Sequence, residues 1–344
     1  MKILLIDDSP LVRAIFSDTL KEIPYVKEVD TAANGKLGLE LISKKSYDLI
    51  FLDIEMPTLN GFEFLQKKKA MGNSVPVIML SSYTQEGAEF TFKALELGAI
   101  DFIPKPLGKQ NPLGTIKEEI QKKVINFYEE ILKKYNKTLI QEIPYKQKPR
   151  KKLLDFEVVL IGSSTGGPKI LSQIIKKIPK DFPLPIVIIQ HMPEYFTEVF
   201  AHRLAKESFL EVLEAKDGLE LKRGRIIIAK GGKHLIFRKE NQKILCELSL
   251  EEKLNGVRPS IDKSLFSLIE IFSEKIIGII LTGMGKDGIE ALKVLHNMGG
   301  LIIAQDEDTS VIFGMNKRAI EENIVDEILP DKRIVDYLLE LSEI

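Results

Sequence analysis

VVLIGSSTGGPK, at residues 158–169, is an apolar, β-branched run that passes into a Ser/Gly loop and then a proline. The run predicts a buried strand, and a proline just after such a loop favours the first turn of a helix. The loop permits two interpretations: a glycine-rich cradle for a phosphate, or the G-x-S-x-G pattern at residues 162–166 that presents a serine nucleophile on a strand-to-helix turn. Under either interpretation the stretch is a βα unit.

The same alternation of apolar runs and amphipathic stretches continues along the chain. Val/Ile/Leu runs separated by helical patterns predict mostly parallel sheets with helices on both faces. The runs of the first half are KILLI, YDLIFL and VPVIML, and those of the second are EVVLI, LPIVII, GRIIIA, EKIIGIIL and GLIIA. We therefore expect an α/β fold with one doubly wound sheet in each half.

A polar, proline-containing segment separates the two halves. NKTLIQEIPYKQKPRKKLLD follows a long helical pattern around residues 115–135 and precedes the strand that begins near Phe156. Its basic run is either an interaction patch or part of a solvated linker, and we favour the linker. The run consists of Lys146, Lys148, Arg150, Lys151 and Lys152.

Composition excludes several classes of protein. With 344 residues, 44% of them hydrophobic and 29% charged, the chain has the composition of a globular protein with two domains. A net charge of −1 gives no basis for binding nucleic acid or an anionic membrane, and no apolar run reaches the about 18 residues that span a bilayer. The single cysteine, Cys246, excludes an internal disulfide framework and a Cys-based zinc cluster. Because MKILLIDDSP is no signal peptide, we expect a cytoplasmic protein.

Acidic side chains, a hydroxyl and a lysine follow predicted strands in the first half. The carboxyl ends of parallel strands share one edge of a sheet, so these groups are expected to converge. Clustered carboxylates favour Mg²⁺, and a lysine and a hydroxyl can contact a phosphoryl group on the central carboxylate. The alternative, that the acids only cap helices, explains single residues better than the whole set. The set is Asp7, Asp8, Asp53, Ser81 and Lys105.

Residues 1 to 125 resemble the receiver domain of response regulators, through the acidic pair at residues 7–8, the stretch DIEMP and the lysine of PKP. The resemblance implies that Asp53 accepts the phosphoryl group. The implied Mg²⁺ ligands are Asp7, Asp8 and Asp53. The residues implied to contact the phosphoryl group or to switch with it are Ser81, Lys105 and Phe102.

In the second half, a nucleophile, a base and an acid follow three predicted strands. A phosphate cradle fits poorly, because residues 162–167 do not match G-x-G-x-x-G. A nucleophilic Ser164 needs a base, and His191 directly follows the buried run LPIVIIQ. Asp287, in the glycine-rich loop TGMGKDG, is placed to orient that base. The order Ser, His, Asp differs from that of α/β-hydrolases, which argues against their fold but not against a triad.

The other three histidines are weaker candidates. His202 and His296 fall in amphipathic helical patterns, where a position on the helix surface is expected. His234, in GGKHLIF, begins a predicted β-hairpin and stays an open alternative.

Residues 155–344 resemble the catalytic domain of chemotaxis protein-glutamate methylesterases, the CheB family. The resemblance rests on IGSSTGGP, QHMPEYFTEVFAHRL, RPSID, TGMGKDG and QDEDTSVIFGM. It implies an α/β architecture: a flavodoxin-like receiver domain at 1–125, a linker at 126–154 that includes an extension of the last receiver helix, and a doubly wound, mostly parallel methylesterase domain at 155–344. The implied triad is Ser164, His191 and Asp287. Asn316 and Val257 depart from a proline and a histidine that are common in the family.

The resemblance also implies a function. We expect a phosphorylation-activated serine hydrolase that cleaves glutamate γ-methyl esters on methyl-accepting chemotaxis receptors, and deamidates receptor glutamines, during chemotaxis adaptation. A chemotaxis histidine kinase is the implied phosphodonor, whereas no cofactor in the catalytic domain, no nucleic acid and no membrane insertion are implied. The backbone N–H groups of Thr165 and Met284 are candidates for the oxyanion hole. A non-catalytic output domain and a receiver-controlled hydrolase of small esters stay as alternatives.

Overall fold

The computed structural model of the chain describes residues 1–105, 113–135 and 152–341. These residues form two compact units, one N-terminal and one C-terminal, each built around its own sheet. Most of the predicted linker, including Lys146, Lys148, Arg150 and Lys151, lies outside the described residues, so its boundaries stay a prediction. No helix within the described ranges is long and apolar enough to span a membrane.

The N-terminal unit alternates strands and helices. Its elements are β1 (Lys2–Ile6), α1 (Pro10–Lys21), β2 (Glu28–Ala32), α2 (Gly35–Lys44), β3 (Leu49–Asp53), α3 (Gly61–Ala70), β4 (Val77–Ser81), α4 (Gln85–Glu96), β5 (Asp101–Pro104) and α5 (Leu113–Tyr135). Polar side chains cap four of the helices by accepting a hydrogen bond from the first turn. They belong to Ser9, Asn34, Asn60 and Thr84.

All five strands of the N-terminal unit are parallel, in the order β2-β1-β3-β4-β5. Strands β3 and β4 are buried along their whole length, because helices cover both faces of the sheet. The chain reverses its direction of growth between β1 and β3, which is where open α/β sheets bind ligands at their carboxyl edge. The predicted flavodoxin-like fold is confirmed.

The C-terminal unit contains ten strands and six helices within residues 152–341. Its elements are β6 (Val158–Ser163), α6 (Gly167–Lys177), β7 (Ile186–Gln190), α7 (Phe196–Glu207), β8 (Glu211–Glu214), β9 (Glu220–Leu221), β10 (Arg225–Ile228), β11 (His234–Glu240), β12 (Lys243–Ser249), α8 (Ile261–Phe272), β13 (Ile276–Ile280), α9 (Ile289–Met298), β14 (Leu301–Gln305), α10 (Met315–Glu321), β15 (Glu327–Leu329) and α11 (Arg333–Glu340). A short 3₁₀ turn at Leu153–Asp155 precedes β6.

Seven of these strands form one parallel sheet, in the order β15-β14-β13-β6-β7-β10-β8. The other three form a small antiparallel sheet, β11-β12-β9. Strand β6 therefore has β7 on one side and β13 on the other, so the sheet reverses its direction of growth at β6. The doubly wound, mostly parallel fold is confirmed, with a carboxyl-edge crevice expected beside β6.

Apolar burial holds the central strands and the helix after them in place. Every residue of β6, β7 and β13 is buried, and α6 packs four aliphatic side chains inward. Each such side chain contributes about 1.5–3 kcal/mol of transfer free energy. The four are Ile170, Leu171, Ile174 and Ile175.

The predictions for the other histidines are confirmed at the level of secondary structure. His202 and His296 lie on α7 and α9, and His234 begins the hairpin of β11 and β12. The ring of His234 is buried and its Nε2 atom lies 3.0 Å from the carbonyl oxygen of Glu252.

Candidate active site

Three neighbouring strands bring the predicted triad to one edge of the C-terminal sheet. Ser164 follows β6, His191 follows β7, and Asp287 lies in the loop between β13 and α9. Backbone hydrogen bonds fix two of these positions: Ser164 N donates to Thr282 O at 3.0 Å, and His191 N donates to Ser163 O at 3.0 Å. His191 and Asp287 follow Ser164 by 27 and 123 residues in the sequence. They come to the same edge because parallel strands have their carboxyl ends on one side of the sheet.

Asp287 and His191 form a close pair. Nε2 of His191 lies 2.8 Å from Oδ2 of Asp287. Burial alone raises the pKa of Asp287, but hydrogen bonds from His191, Ser260 and the N–H of Ile261 outweigh it and hold that pKa below its usual value. The carboxylate is therefore ionised at neutral pH and can only accept, so Nε2 carries a proton and Nδ1 is the basic nitrogen.

The Asp287 carboxylate is itself held from two sides. Ser260 Oγ donates to Oδ1 at 2.6 Å, and the backbone N–H of Ile261 donates to Oδ2 at 2.6 Å. Ser260 is the N-cap of α8 and Ile261 its first residue, so both donors come from the stretch RPSID at the start of that helix. A fixed carboxylate orients the imidazole, which is the role of the acid in a triad.

Ser164 is half-buried on the turn between β6 and α6. A Cβ atom at Gly283 would lie 2.8 Å from Cβ of Ser164, so only glycine permits this approach. Within residues 152–341, no hydrogen bond joins Oγ of Ser164 to His191. Hydrogen bonds between nucleophile and base are commonly loose without substrate and tighten in the reacting complex.

The two oxyanion candidates lie on loops that contact each other. Thr165 is in the turn before α6, and its carbonyl oxygen accepts a hydrogen bond from Thr282 Oγ1 at 3.0 Å. Met284 follows Gly283, which is fixed by hydrogen bonds to Ile312 and Met315. The N–H of Met284 donates to no residue in the described part of the chain, so it is available to a substrate oxygen.

The acidic cluster of the N-terminal unit lies at the carboxyl ends of β1 and β3. One carboxylate oxygen from each of Asp7, Asp8 and Asp53 lies within 4.8 Å of the others. Lys105 Nζ lies 2.7 Å from Oδ1 of Asp53 and 2.8 Å from Oδ2 of Asp7. Oδ2 of Asp53 is buried without a hydrogen-bond partner. A hard divalent cation fits this all-oxygen set and this unpaired oxygen.

The electrostatics of Asp53 reflect its crowded position. Burial has the largest effect and raises the pKa of Asp53. The charge of Lys105 lowers this pKa and the charge of Asp7 raises it, and the net result is a pKa of about 6. Its carboxylate is therefore poorly stabilised by the protein alone, and a bound cation would restore its ionised form.

Ser81 and Phe102 lie on β4 and β5, the next two strands of the sheet after β3, and their side chains have other partners. The hydroxyl of Ser81 donates to Gly87 O at 3.0 Å and accepts from Thr91 Oγ1 at 2.6 Å, so it is held by α4. Phe102 is buried on β5, with Nζ of Lys123 5.6 Å from its ring centre. In this structure the Ser81 hydroxyl is therefore bonded to α4.

Several residues of the site were not singled out by the sequence. Gln190 and Thr282 are buried polar residues at strand ends, a position that carries no distinctive motif. Ser260 and Ile261 belong to RPSID, a stretch that the sequence marks only through the family resemblance. For Gln190 and Thr282 the usable signal is a polar residue at the end of an apolar run, whereas Ser260 and Ile261 follow a polar loop and offer no such signal.

Among the described residues, no hydrogen bond joins either departure from the family pattern to Ser164, His191 or Asp287. Asn316 is buried, and its Nδ2 atom donates to Gln305 O at 2.9 Å and to Ser310 Oγ at 2.8 Å. Val257 donates its N–H to Leu254 O at 3.0 Å. Asn316 thus ties the end of β14 to the loop that follows it.

The acidic cluster of the N-terminal unit and the Ser164, His191 and Asp287 side chains of the C-terminal unit, together with the two folds, define a class of protein. It is a response regulator whose second unit is a hydrolase-type α/β domain. The receiver domain profile of response regulators matches residues 3–117, and the CheB methylesterase profile matches residues 159–338. The chain belongs to the CheB methylesterase family. It is therefore an enzyme, a carboxylic ester hydrolase of the protein-glutamate methylesterase/protein-glutamine glutaminase type that carries a receiver domain.

Relatives support the assignment over the full length. A protein-glutamate methylesterase/protein-glutamine glutaminase of Thermotoga maritima is 40% identical, over 99% of this chain and 98% of its own. One of Clostridium acetobutylicum is 38% identical, over 99% of this chain and 97% of its own. The crystal structure of the Thermotoga maritima CheB methylesterase catalytic domain is 47% identical, covers 54% of this chain and 98% of its own, and superposes with a TM-score of 0.53. The predicted family and enzyme class are confirmed.

Proposed function

We propose that this enzyme hydrolyses glutamate γ-methyl esters on methyl-accepting chemotaxis receptors through Ser164, His191 and Asp287, and that phosphorylation of Asp53 activates it. The observation that supports this most directly is the 2.8 Å contact of His191 with a buried, ionised Asp287, at the strand end next to Ser164. We place this reaction in chemotaxis adaptation. The proposed domains are a receiver at 1–125, a linker at 126–154 and a methylesterase domain at 155–344.

The first chemical step is acylation. Nδ1 of His191 accepts the proton of the Ser164 hydroxyl as Oγ attacks the ester carbonyl carbon, and the same proton then passes to the departing methoxide, which leaves as methanol. Water, deprotonated by His191, attacks the acyl-enzyme and releases the glutamate carboxylate and free Ser164. With glutamine as substrate, ammonia leaves in place of methanol, which gives the deamidase activity.

The oxyanion of each tetrahedral intermediate requires fixed donors. We assign this role to the N–H groups of Thr165 and Met284, which lie on the two loops joined by Thr282. Each such donor is worth roughly a hundredfold to a thousandfold in rate, or about 3–4 kcal/mol. The start of α6 adds the positive end of a helix dipole beside Thr165.

The receiver unit supplies the regulation. We propose that Asp53 takes a phosphoryl group from a chemotaxis histidine kinase and that Lys105 and Ser81 contact that group, with Phe102 as the switching aromatic. Mg²⁺, held by Asp7, Asp8 and Asp53, would neutralise charge on the phosphoryl oxygens. The catalytic unit needs no cofactor in this mechanism. A cytoplasmic location fits the single cysteine and the kinase partner.

Methanol release from receptor-containing membranes tests the proposal. With tritiated methyl esters on the receptors, the full-length enzyme should release labelled methanol, and acetyl phosphate with Mg²⁺ should accelerate the release. A small aryl ester assayed in parallel distinguishes a receptor methylesterase from a hydrolase of small esters. Rapid turnover of the aryl ester with no release from receptors would contradict the proposed substrate.

A further inference from the structure

Gln190 is a buried glutamine at the last position of β7 whose amide contacts both neighbouring catalytic segments. Its Nε2 atom donates to the carbonyl oxygen of Ser164 at 2.9 Å and to that of His191 at 3.1 Å. Its Oε1 atom accepts from the hydroxyl of Ser163 at 2.7 Å. One side chain therefore joins the backbone of the nucleophile to that of the base.

The pairing of the amide follows from its partners. An NH₂ group has two protons and no acceptor capacity, so it matches two carbonyl oxygens. The opposite orientation would face the amide oxygen toward both carbonyls and lose those bonds. The Ser163 hydroxyl, which is fully buried, then completes the set by donating to Oε1.

The location of this amide matters because the strand ladder ends there. The pairing of β6 with β7 stops at Ser163 opposite Gln190, one residue before Ser164 and one before His191. Beyond the bond from His191 N to Ser163 O, the ladder no longer fixes the distance between the two segments. The two bonds from Nε2 continue the constraint past the end of the ladder.

Space for the amide is provided by Gly167, the first residue of α6. A Cβ atom there would lie 2.3 Å from Oε1 of Gln190 and 2.8 Å from Oγ of Ser163. Any larger residue would displace the amide or the helix. The second glycine of STGGP thus has a defined role that a nucleophile turn by itself does not require.

We propose that Gln190 is a positioning residue that sets the spacing of Ser164 and His191, with Ser163 orienting its amide and Gly167 admitting it. This rests on the proposed roles of Ser164 and His191. A misplacement of about 1 Å between a nucleophile and its base costs on the order of a hundredfold in rate, while substrate affinity depends on other contacts. Loss of the amide therefore acts on kcat rather than on KM.

Gln190→Met tests this in the full-length enzyme, because methionine has similar length and no hydrogen bonds to offer. We expect kcat for methanol release from methylated receptor membranes to fall by about 10-fold to 100-fold, with KM changed by less than about threefold. The rate at which a fluorophosphonate labels Ser164 should fall by a similar factor. The matched control is Ile334→Val, which removes a buried methylene from α11 and none of the hydrogen bonds that join the Ser164 and His191 segments. The control should lower the melting temperature and leave kcat unchanged.

Gln190→Glu gives a second measurement that a general loss of stability does not reproduce. An ionised carboxylate repels both carbonyls, whereas the protonated acid regains one donor. The ratio of variant to wild-type kcat should therefore rise as the pH falls from 8 to 5.5. A wild-type kcat in Gln190→Met, or an equal loss in Ile334→Val, would overturn the inference. Ser164→Ala in the same assay separates the two proposals, because full activity in that variant would contradict the triad itself.

Discussion

The hydroxyl of Thr91 on α4 lies 2.6 Å from the hydroxyl of Ser81 at the end of β4. The carbonyl oxygen of Gly87 lies 2.7 Å from Thr91 Oγ1 and 3.0 Å from Ser81 Oγ. The three groups form a buried cluster that keeps the Ser81 hydroxyl on α4. In its proposed role the Ser81 hydroxyl leaves this cluster to contact a phosphoryl group on Asp53, so we expect the cluster to favour the unphosphorylated arrangement.

Thr91→Val should make phosphorylation more effective. Valine keeps the shape but removes a hydrogen bond worth about 1 kcal/mol, which corresponds to about a fivefold lower phosphodonor concentration for half-maximal activation. Titration of methanol release against acetyl phosphate measures this. The control is Thr19→Val, which removes a buried hydroxyl that donates to Ile15 O on α1. A curve shifted to higher donor concentration, or the same shift in both variants, would contradict the prediction.

Ser164→Ala and Ser163→Ala should differ strongly in their effect on methanol release. Removing the nucleophile should lower kcat by several orders of magnitude, since only binding and the oxyanion donors remain. Ser163→Ala leaves Oε1 of Gln190 without its donor and should cost less than about tenfold. The reverse order would assign the nucleophile to Ser163.

The double variant of Ser164→Ala with His191→Ala should be little slower than either single variant. The two residues act in one proton transfer, so that losing one makes the other useless. Single-turnover kinetics on labelled receptor membranes measure the three rates. Losses that multiply would show that the residues act independently and would reject the triad.

Asp53→Asn should remove the response to a phosphodonor. Asparagine preserves the shape but cannot accept a phosphoryl group, and Asp53 belongs to the receiver unit rather than to the unit with the triad. If phosphorylation of the wild type raises the rate a hundredfold, the coupling it supplies is about 2.7 kcal/mol, and the variant should show none of it. Rates with and without acetyl phosphate are the measurement, and activation that persists in the variant would place the acceptor elsewhere.

Asp287 should contribute to stability in a pH-dependent way. Its pKa is lower in the folded protein than in the unfolded chain, so the carboxylate favours folding above its unfolded pKa of about 3.9 and this contribution is lost as the pH falls through the folded value. Between pH 6 and pH 3, the melting temperature of the wild type should fall more steeply than that of Asp287→Asn. Parallel curves would mean that Asp287 is not stabilised as an anion.

Much of this protein is determined by its sequence alone. Continuous Val/Ile/Leu runs such as those of β3 and β6 predict buried parallel strands, because only helices on both faces can cover them. A parallel sheet places all carboxyl strand ends at one edge, so polar residues that follow those runs, such as Asp53 and Ser164, are predicted to line a site before any contact is known. The residue types then define the chemistry.

The tertiary structure alone decided which side chains come into contact, which hydrogen bonds they form and how their pKa values shift. The order of strands in a sheet depends on helix packing between distant segments, so that β13 lies beside β6 although more than 100 residues separate them. The donors to Asp287 from α8, the amide of Gln190 and the turn of Ser81 toward α4 likewise depend on packing. Hydrogen bonds and pKa values are set by atoms a few ångströms away, and the sequence does not specify those neighbours until the chain has folded.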